Sequence, residues 1–573
     1  MFIIAAVVST HLKDVQCQPQ ETSVYQSRVS HQRIGDIYRT SKSKNIGPND
    51  MTGDQLALPT SERVSTITKH GKITGGRVKN GCQVFLNVPY GVDVPRWTDP
   101  QSLPGGYKYS GKPFTVDGKY CAQPERTYRQ TNSIRDRLGL GKPTENPFFA
   151  DIYIPSDYPL SSPGERPLLP VRVFIHGGFL QYGSTSGQNY NQQFFAAEHY
   201  NEVRVLLGHR VSILGFLGCE TPKVPGNFGF KDCWLGLEWV KENIDSFGGD
   251  RNQIHLSGLS GGGHVVHQLV HQAARLAPKS APFITAHLQS NAILADPLIP
   301  AARDAQFTAF CETVGIDPSI PNVLEELRDT SKFSTDKIIA AVQDMGELCT
   351  FRGIVGDDGW VRADEMEFQK NGGLAKGLRE AGVQCIVVGD VRDEDFFYRG
   401  VHPCKKYDDL VPNIARYYPY DQSQQFLASY HPIPKDSSPT ELDDRLGRVL
   451  ADGQVHLPVR LLAKDLATYS FPAVRYAIES VPVAYGTNGK ASHGTDLAIH
   501  QLRLSMMTPE ETSAVLKFNK ILWDEVAKAV KGDRNSKRRE DEEMLVLGKD
   551  GATAWKADWR WPQLKAAEKV FRP

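Results

Sequence analysis

The residues whose types and spacing suggest chemistry lie in "IHLSGLSGGGHVVHQLVHQ", 254–272, where Gly258, Leu259, Ser260, Gly261 and Gly262 form a G-x-S-x-G run. A serine hydroxyl becomes an accessible nucleophile when a sharp strand-to-helix turn lifts it above the end of a sheet. The flanks suit such an elbow. Upstream, "QIHLSG" alternates around Ile254 and Leu256; downstream, Val265, Leu269, Val270 and Ala273 recur at helical spacing. Gly258 and Gly262 then fall where strand and helix pack too closely for side chains. The competing reading is a serine in an ordinary glycine-rich loop, since a chain with 50 glycines can carry the five-residue pattern by chance.

An attacking serine needs a base, an acid to orient that base, and donors for the oxyanion. Two consecutive glycines in "FIHGGFLQYGS", at the end of an apolar run, let backbone N–H groups approach a ligand oxygen; the plain alternative is a strand-to-loop turn. His264 and His267 stand three apart on the helix after Ser260, but no carboxylate accompanies them, so they and His500 read as structural and no metal is expected.

The elements that must hold these residues follow in order. "FFADIYIP" (148–155) and "LPVRVFIHGG" (169–178) are strand candidates, followed by "EVRVLLGHR" and "VSILGF", and by a helix beginning near Asp232. "VQCIVVGD" (383–390) and "PAVRYAIESV" (472–481) add further strands. This succession specifies an α/β fold, a large mostly parallel sheet flanked by helices. Residues 66–90 alternate with glycine breaks, which predicts a small N-terminal antiparallel sheet. In "TPEETSAVLKFNKILWDEVAKAVKG", Thr508 is an N-cap, Pro509 opens the first turn, Glu511 closes a capping box and Gly532 lies past the end. That helix presents Leu522, Trp523 and Val526 to the core or to a second subunit. The charged "KGDRNSKRREDEE" beyond it reads as a solvated loop.

Lys+Arg and Asp+Glu balance at 66 each, so no global charge favours nucleic acid, and no apolar run reaches the length of a membrane span. A small molecule is the expected partner. Residues 1–65 read as a polar extension of little structure, and 66–573 as the folded domain. The apolar stretch Phe2 to Val8 is short for a secretion signal and lacks a basic leader. Nine scattered cysteines without C-x-x-C pairs, and the lack of an N-x-[ST] acceptor, favour a cytoplasmic setting, with secretion as the alternative.

The runs "VFIHGGFLQYGS", "RVSILGFLG" and "GNFGFKDCWLGLEWVKENIDSFGGDRNQIHLSGLSGGG" resemble the type B carboxylesterase/lipase family, the cholinesterase-like α/β-hydrolases, from about residue 66 to the end. The resemblance implies the α/β-hydrolase fold and a serine mechanism without metal or organic cofactor. It places the acid at Glu394 in "VVGDVRDEDFFY", with Asp393 and Asp395 left as alternatives, and the base at His493 in "ASHGTDLAIH". It assigns the oxyanion donors to the N–H groups of Gly178, Phe179 and Gly261.

Departures from the family pattern bear on substrate. Phe179 stands where relatives usually have a third glycine, which narrows the acyl pocket; Leu259 replaces a frequent glutamate; no counterpart of the choline-binding tryptophan is evident. Two disulfides common among secreted relatives are not expected, since Pro147 faces Cys121 in the pattern and Ile316 and Glu326 occupy the other pair. The expected activity is hydrolysis of a moderately apolar ester, a xenobiotic, lipid or secondary metabolite. Acyl transfer through the same serine and a non-catalytic binding role are the alternatives.

Overall fold

A computed structural model describes residues 62–78, 81–115, 119–124, 142–160, 167–186, 193–485, 487–532 and 543–572. Most of the predicted N-terminal extension, including the apolar stretch at its start, lies outside the described residues, as does most of the charged loop after the long C-terminal helix. Twelve strands form one sheet: β1 (Arg63–Thr68), β2 (Gly71–Arg77), β3 (Gln83–Pro89), β4 (Phe149–Ile154), β5 (Leu169–Ile175), β6 (Val203–Leu207), β7 (Gly249–Leu259), β8 (Thr285–Gln289), β9 (Cys385–Val391), β10 (Ala473–Ile478), β11 (Glu543–Leu547) and β12 (Thr553–Ala557). Their spatial order is β1-β2-β3-β4-β6-β5-β7-β8-β9-β10-β11-β12. From β6 through β11 all neighbours are parallel, and antiparallel strands finish both edges.

The central strands β6, β8 and β9 are buried at every position, as a sheet covered by helices on both faces requires. The antiparallel strands predicted over 66–90 are present, and they continue the main sheet through the β3–β4 pairing. A separate two-stranded antiparallel pair joins Gly91–Val92 to Gln101–Ser102.

Three helices matter for the site: α1 (Phe228–Asn243), α2 (Gly261–Ala273) and α3 (Pro509–Val530). Helix α1 begins at Phe228, ahead of the predicted start near Asp232, because Asn227 turns the chain at φ 62°. The run "VSILGF" contains a short helix, Ser212–Phe216. Every residue of that helix is buried, so its apolar run has no polar face to reveal a helical period. Helix α3 has the predicted Thr508/Glu511 capping box, and Leu522 and Val526 pack into the core. Trp523 is partly buried and lies under the Arg172 guanidinium, 4.1 Å from the ring centroid.

Candidate active site

Ser260 sits between the end of β7 and the start of α2 with φ 57° and ψ −123°, a conformation that costs a non-glycine residue on the order of 1–3 kcal/mol. The surroundings hold it there. Its N–H donates to Gln289 O at 2.8 Å, and its carbonyl accepts from His264 N at 3.0 Å, joining the turn to β8 and to the first helical turn. The flanking glycines are sterically required. A Cβ on Gly258 would lie 2.4 Å from Gly262 O, and one on Gly262 would lie 2.2 Å from Ile175 O at the end of β5. The elbow predicted from sequence is therefore present, glycines included.

The glycine pair after β5 comes close to this turn. Gly178 has φ 130°, and a Cβ there would collide with Tyr182 O at 1.9 Å; Phe179 and Leu180 follow at φ 56° and 67°. A Cβ on Gly261 would lie 2.8 Å from Phe179 N and 3.0 Å from Leu180 N. The first residue of α2 thus lies directly against the 178–180 turn, and the three predicted donor residues come together. Gln181 braces the turn by donating to Phe179 O at 2.9 Å and to Phe351 O, and by accepting from Phe351 N at 3.0 Å.

Glu394 and His493 approach from two separate loops. The His493 imidazole donates through Nδ1 to Glu394 Oε2 at 2.6 Å, and both groups are buried. His493 Nε2 is buried as well and has no hydrogen-bond partner, leaving one ring nitrogen fixed and the other unengaged. The neighbouring aspartates are otherwise occupied. Asp393 accepts from Ala491 N at 3.0 Å and so ties the two loops together, while Asp395 pairs with Arg399 at 2.9 Å. Of the three acids, only Glu394 bonds to the imidazole.

Other residues around the pair escaped the sequence reading. Phe397 stacks on His493 at 4.8 Å between centroids and also on Phe179 at 5.9 Å, and Tyr398 meets His493 edge-on at 5.5 Å. Asp496 is fully buried and accepts from Ser290 Oγ at 3.0 Å; burial, then the nearby Glu394 charge, pushes its carboxyl up to about 7. Its position in "HGTDL" beside His493 was the available signal. His267 and His500 serve the fold. His267 accepts from Ile293 N at 2.8 Å and faces Gln369 Oε1 at 3.0 Å, and His500 faces Asn519 Oδ1 at 2.8 Å. No cluster of three metal-ligating side chains occurs among the described residues, and the eight cysteines among them are free thiols.

With a buried acid–imidazole pair and a strained serine turn beside convergent backbone, the comparison with known proteins is direct: the carboxylesterase family model matches residues 61–556. The chain belongs to the carboxylesterase family. An uncharacterised esterase/lipase of Schizosaccharomyces pombe is 29% identical over 418 residues, covering 69% of this chain and 73% of the relative. A carboxylic ester hydrolase of Gibberella moniliformis is 27% identical, over 72% and 74% of the two chains. Among solved structures, a PNB esterase superposes with a TM-score of 0.67 at 18% identity, covering 88% of this chain and 99% of that one, a likeness of fold. The protein is a carboxylesterase with the α/β-hydrolase fold, an enzyme that hydrolyses esters. No helix among its described residues is long and apolar enough to cross a membrane.

Proposed function

We propose that this carboxylesterase works through an acyl-enzyme on Ser260 and acts on a moderately apolar small-molecule ester. The observation that carries the reading is the His493 imidazole, held by Glu394 through Nδ1 and left with an unpartnered Nε2. In this reading Nε2 takes the Ser260 proton as the hydroxyl oxygen attacks the ester carbonyl. Glu394 keeps the imidazole in the Nδ1–H tautomer and stabilises the imidazolium that forms. The carbonyl oxygen becomes an oxyanion held by N–H groups of Gly178, Phe179 and Gly261. Each such donor is worth roughly 3 kcal/mol of barrier. The imidazolium then protonates the leaving alcohol, and water repeats the sequence to free the acid and Ser260. The aromatic residues Phe179, Phe397 and Tyr398 supply the apolar wall that suits such a substrate.

The test is hydrolysis of p-nitrophenyl esters of increasing acyl length by the unmodified protein and by Ser260→Ala. A loss on the order of 10⁴-fold or more in kcat, with covalent labelling of Ser260 by a small organophosphonate, is expected. Turnover that survives in Ser260→Ala overturns the mechanism.

A further inference from the structure

A cavity of about 60 Å³ opens beside the first turns of α2 and is lined by Arg303, Arg352, His264, Ile293 and Tyr417. At about 10–15 Å³ for each water, it has room for a small polar group. Two arginines share it. Neither guanidinium has a carboxylate or hydrogen-bond partner among the described residues: Arg303 Nε is buried and unpartnered, and Arg352 lies over the Tyr417 ring at 4.9 Å. Burial, then the Arg352 charge, brings Arg303 down to about 10, and burial likewise lowers Arg352. His264, under burial and the same Arg352 charge, is held well below its ordinary value and stays neutral. One acid, Asp296, also lines the cavity, but it accepts from Met366 N at 2.8 Å, and the charges acting on it are Asp364 and Glu367.

Elsewhere among the described residues several buried arginines have acids. Arg210 pairs with Asp232, Arg460 with Asp390 and Asp558, and Arg475 with Asp558. Two neighbouring guanidinium groups cannot relieve their repulsion by losing a proton at neutral pH, so placing them together without an acid costs stability. That cost is offset when an anion enters, because a guanidinium fork binds a carboxylate through paired charge-assisted hydrogen bonds.

The residues that line the cavity share elements with the reacting centre. His264 is one turn along α2 from Ser260, about 6 Å of helix rise. Phe351, the residue before Arg352, exchanges two hydrogen bonds with Gln181 of the 178–182 turn. Tyr398 lies within the field of Arg352 and packs against His493.

We propose that this cavity binds an anionic group of the substrate, so that the preferred ester carries a carboxylate a few carbons from its reacting carbonyl, held by Arg352 and Arg303. The proposal rests on the reading of Ser260 as nucleophile and specifies the substrate class for that site.

The experiment compares charged and neutral substrates of matched shape. For an anion on the acyl side, the pair is phenyl hemiglutarate and phenyl pentanoate; for the alcohol side, carboxymethylphenyl butyrate and ethylphenyl butyrate. The unmodified enzyme is expected to favour the acid of one pair by about tenfold or more in kcat/KM, since a hydrogen bond to a charged group has at least that effect. In Arg352→Met the charged-to-neutral ratio collapses towards one, and Arg303→Met lowers it less.

Binding is read independently of turnover from the thermal midpoint of the unmodified protein with 5-oxohexanoate, a ketone acid of the same spacing with no ester bond to hydrolyse, in millimolar excess. A rise of about 2 °C or more that is absent in Arg352→Met supports the site. Ser260-dependent hydrolysis of the neutral esters with no preference for either acid overturns the anion site alone. No shift of the midpoint in the unmodified protein overturns it too, whatever becomes of the variants. Hydrolysis that persists in Ser260→Ala overturns the nucleophile reading and leaves the binding measurement to decide the cavity.

Discussion

Phe397 stacks on the His493 imidazole with centroids 4.8 Å apart and planes 20° from parallel, and the same ring is stacked with Phe179 at 5.9 Å and 15°. Phe179, expected from its place in the sequence to narrow the acyl side, is thus coupled through one ring to the histidine. Phe179→Ala keeps the backbone N–H but removes the first ring of the stack. Its expected effect is a shift in chain-length preference, with kcat/KM for octanoyl over butyryl esters rising about tenfold, since a methylene in an apolar pocket is worth roughly 1–3 kcal/mol. The p-nitrophenyl series measures it, and an unchanged preference would place the acyl chain elsewhere.

The hydrogen bond between Glu394 and His493 separates the three acidic neighbours. Glu394→Gln keeps the shape but leaves the imidazole without a carboxylate, and kcat is expected to fall about 10⁴-fold, as when a triad acid becomes an amide. Asp395 pairs with Arg399 away from the imidazole, so Asp395→Asn is expected to change kcat by no more than a few-fold. Equal losses in the two variants would show that the acidic turn acts through its overall charge.

Asp496 links stability to pH. Its folded-state carboxyl titrates at about 7 against the ordinary 3.8, raised by burial and then by Glu394. Between about pH 4 and 7 the unfolded chain has lost this proton while the folded protein keeps it, so the native state is favoured below 4 and loses that advantage as pH rises through 7. Asp496→Asn removes this dependence. Unfolding midpoints of the variant and the parent should converge at acid pH in their Asp496 contribution and differ increasingly, in favour of the variant, towards pH 8. A difference between the two proteins that does not grow with pH would mean that Asp496 does not carry this dependence.

The parts of the site legible in sequence were those with local patterns. Ser260 between Gly258 and Gly262, and the Thr508/Glu511 cap of α3, depend on neighbours a few residues away, and both are found as expected. The helix Ser212–Phe216 leaves no signal in sequence because a short, wholly buried helix has neither polar face nor period. The β11–β12 hairpin was overlooked beside a charge-dense stretch. Asp496 could have been noticed next to His493, whereas Arg303 and Arg352, 49 positions apart in the chain, become a pair only through the packing around α2.

Packing also predicts where the fold is least tolerant. Arg210 donates through its backbone N–H and Nε to Asp232 Oδ2, each at 2.9 Å, and through Nη2 to Oδ1 at 2.6 Å, with both side chains buried. The pair joins the chain just after β6 to the second turn of α1. Asp232→Ala leaves a buried guanidinium without its acid and frees a backbone donor, so unfolding free energy is expected to fall by about 3–5 kcal/mol. By contrast, Asp524→Asn breaks an exposed i,i+4 pair with Lys520 on α3 and should leave the denaturation midpoint essentially unmoved. Urea titrations of the two variants test the contrast. An Asp232→Ala protein as stable as the parent would mean that Arg210 finds another acceptor, with Thr98 O, which it already reaches at 2.8 Å, the nearest available.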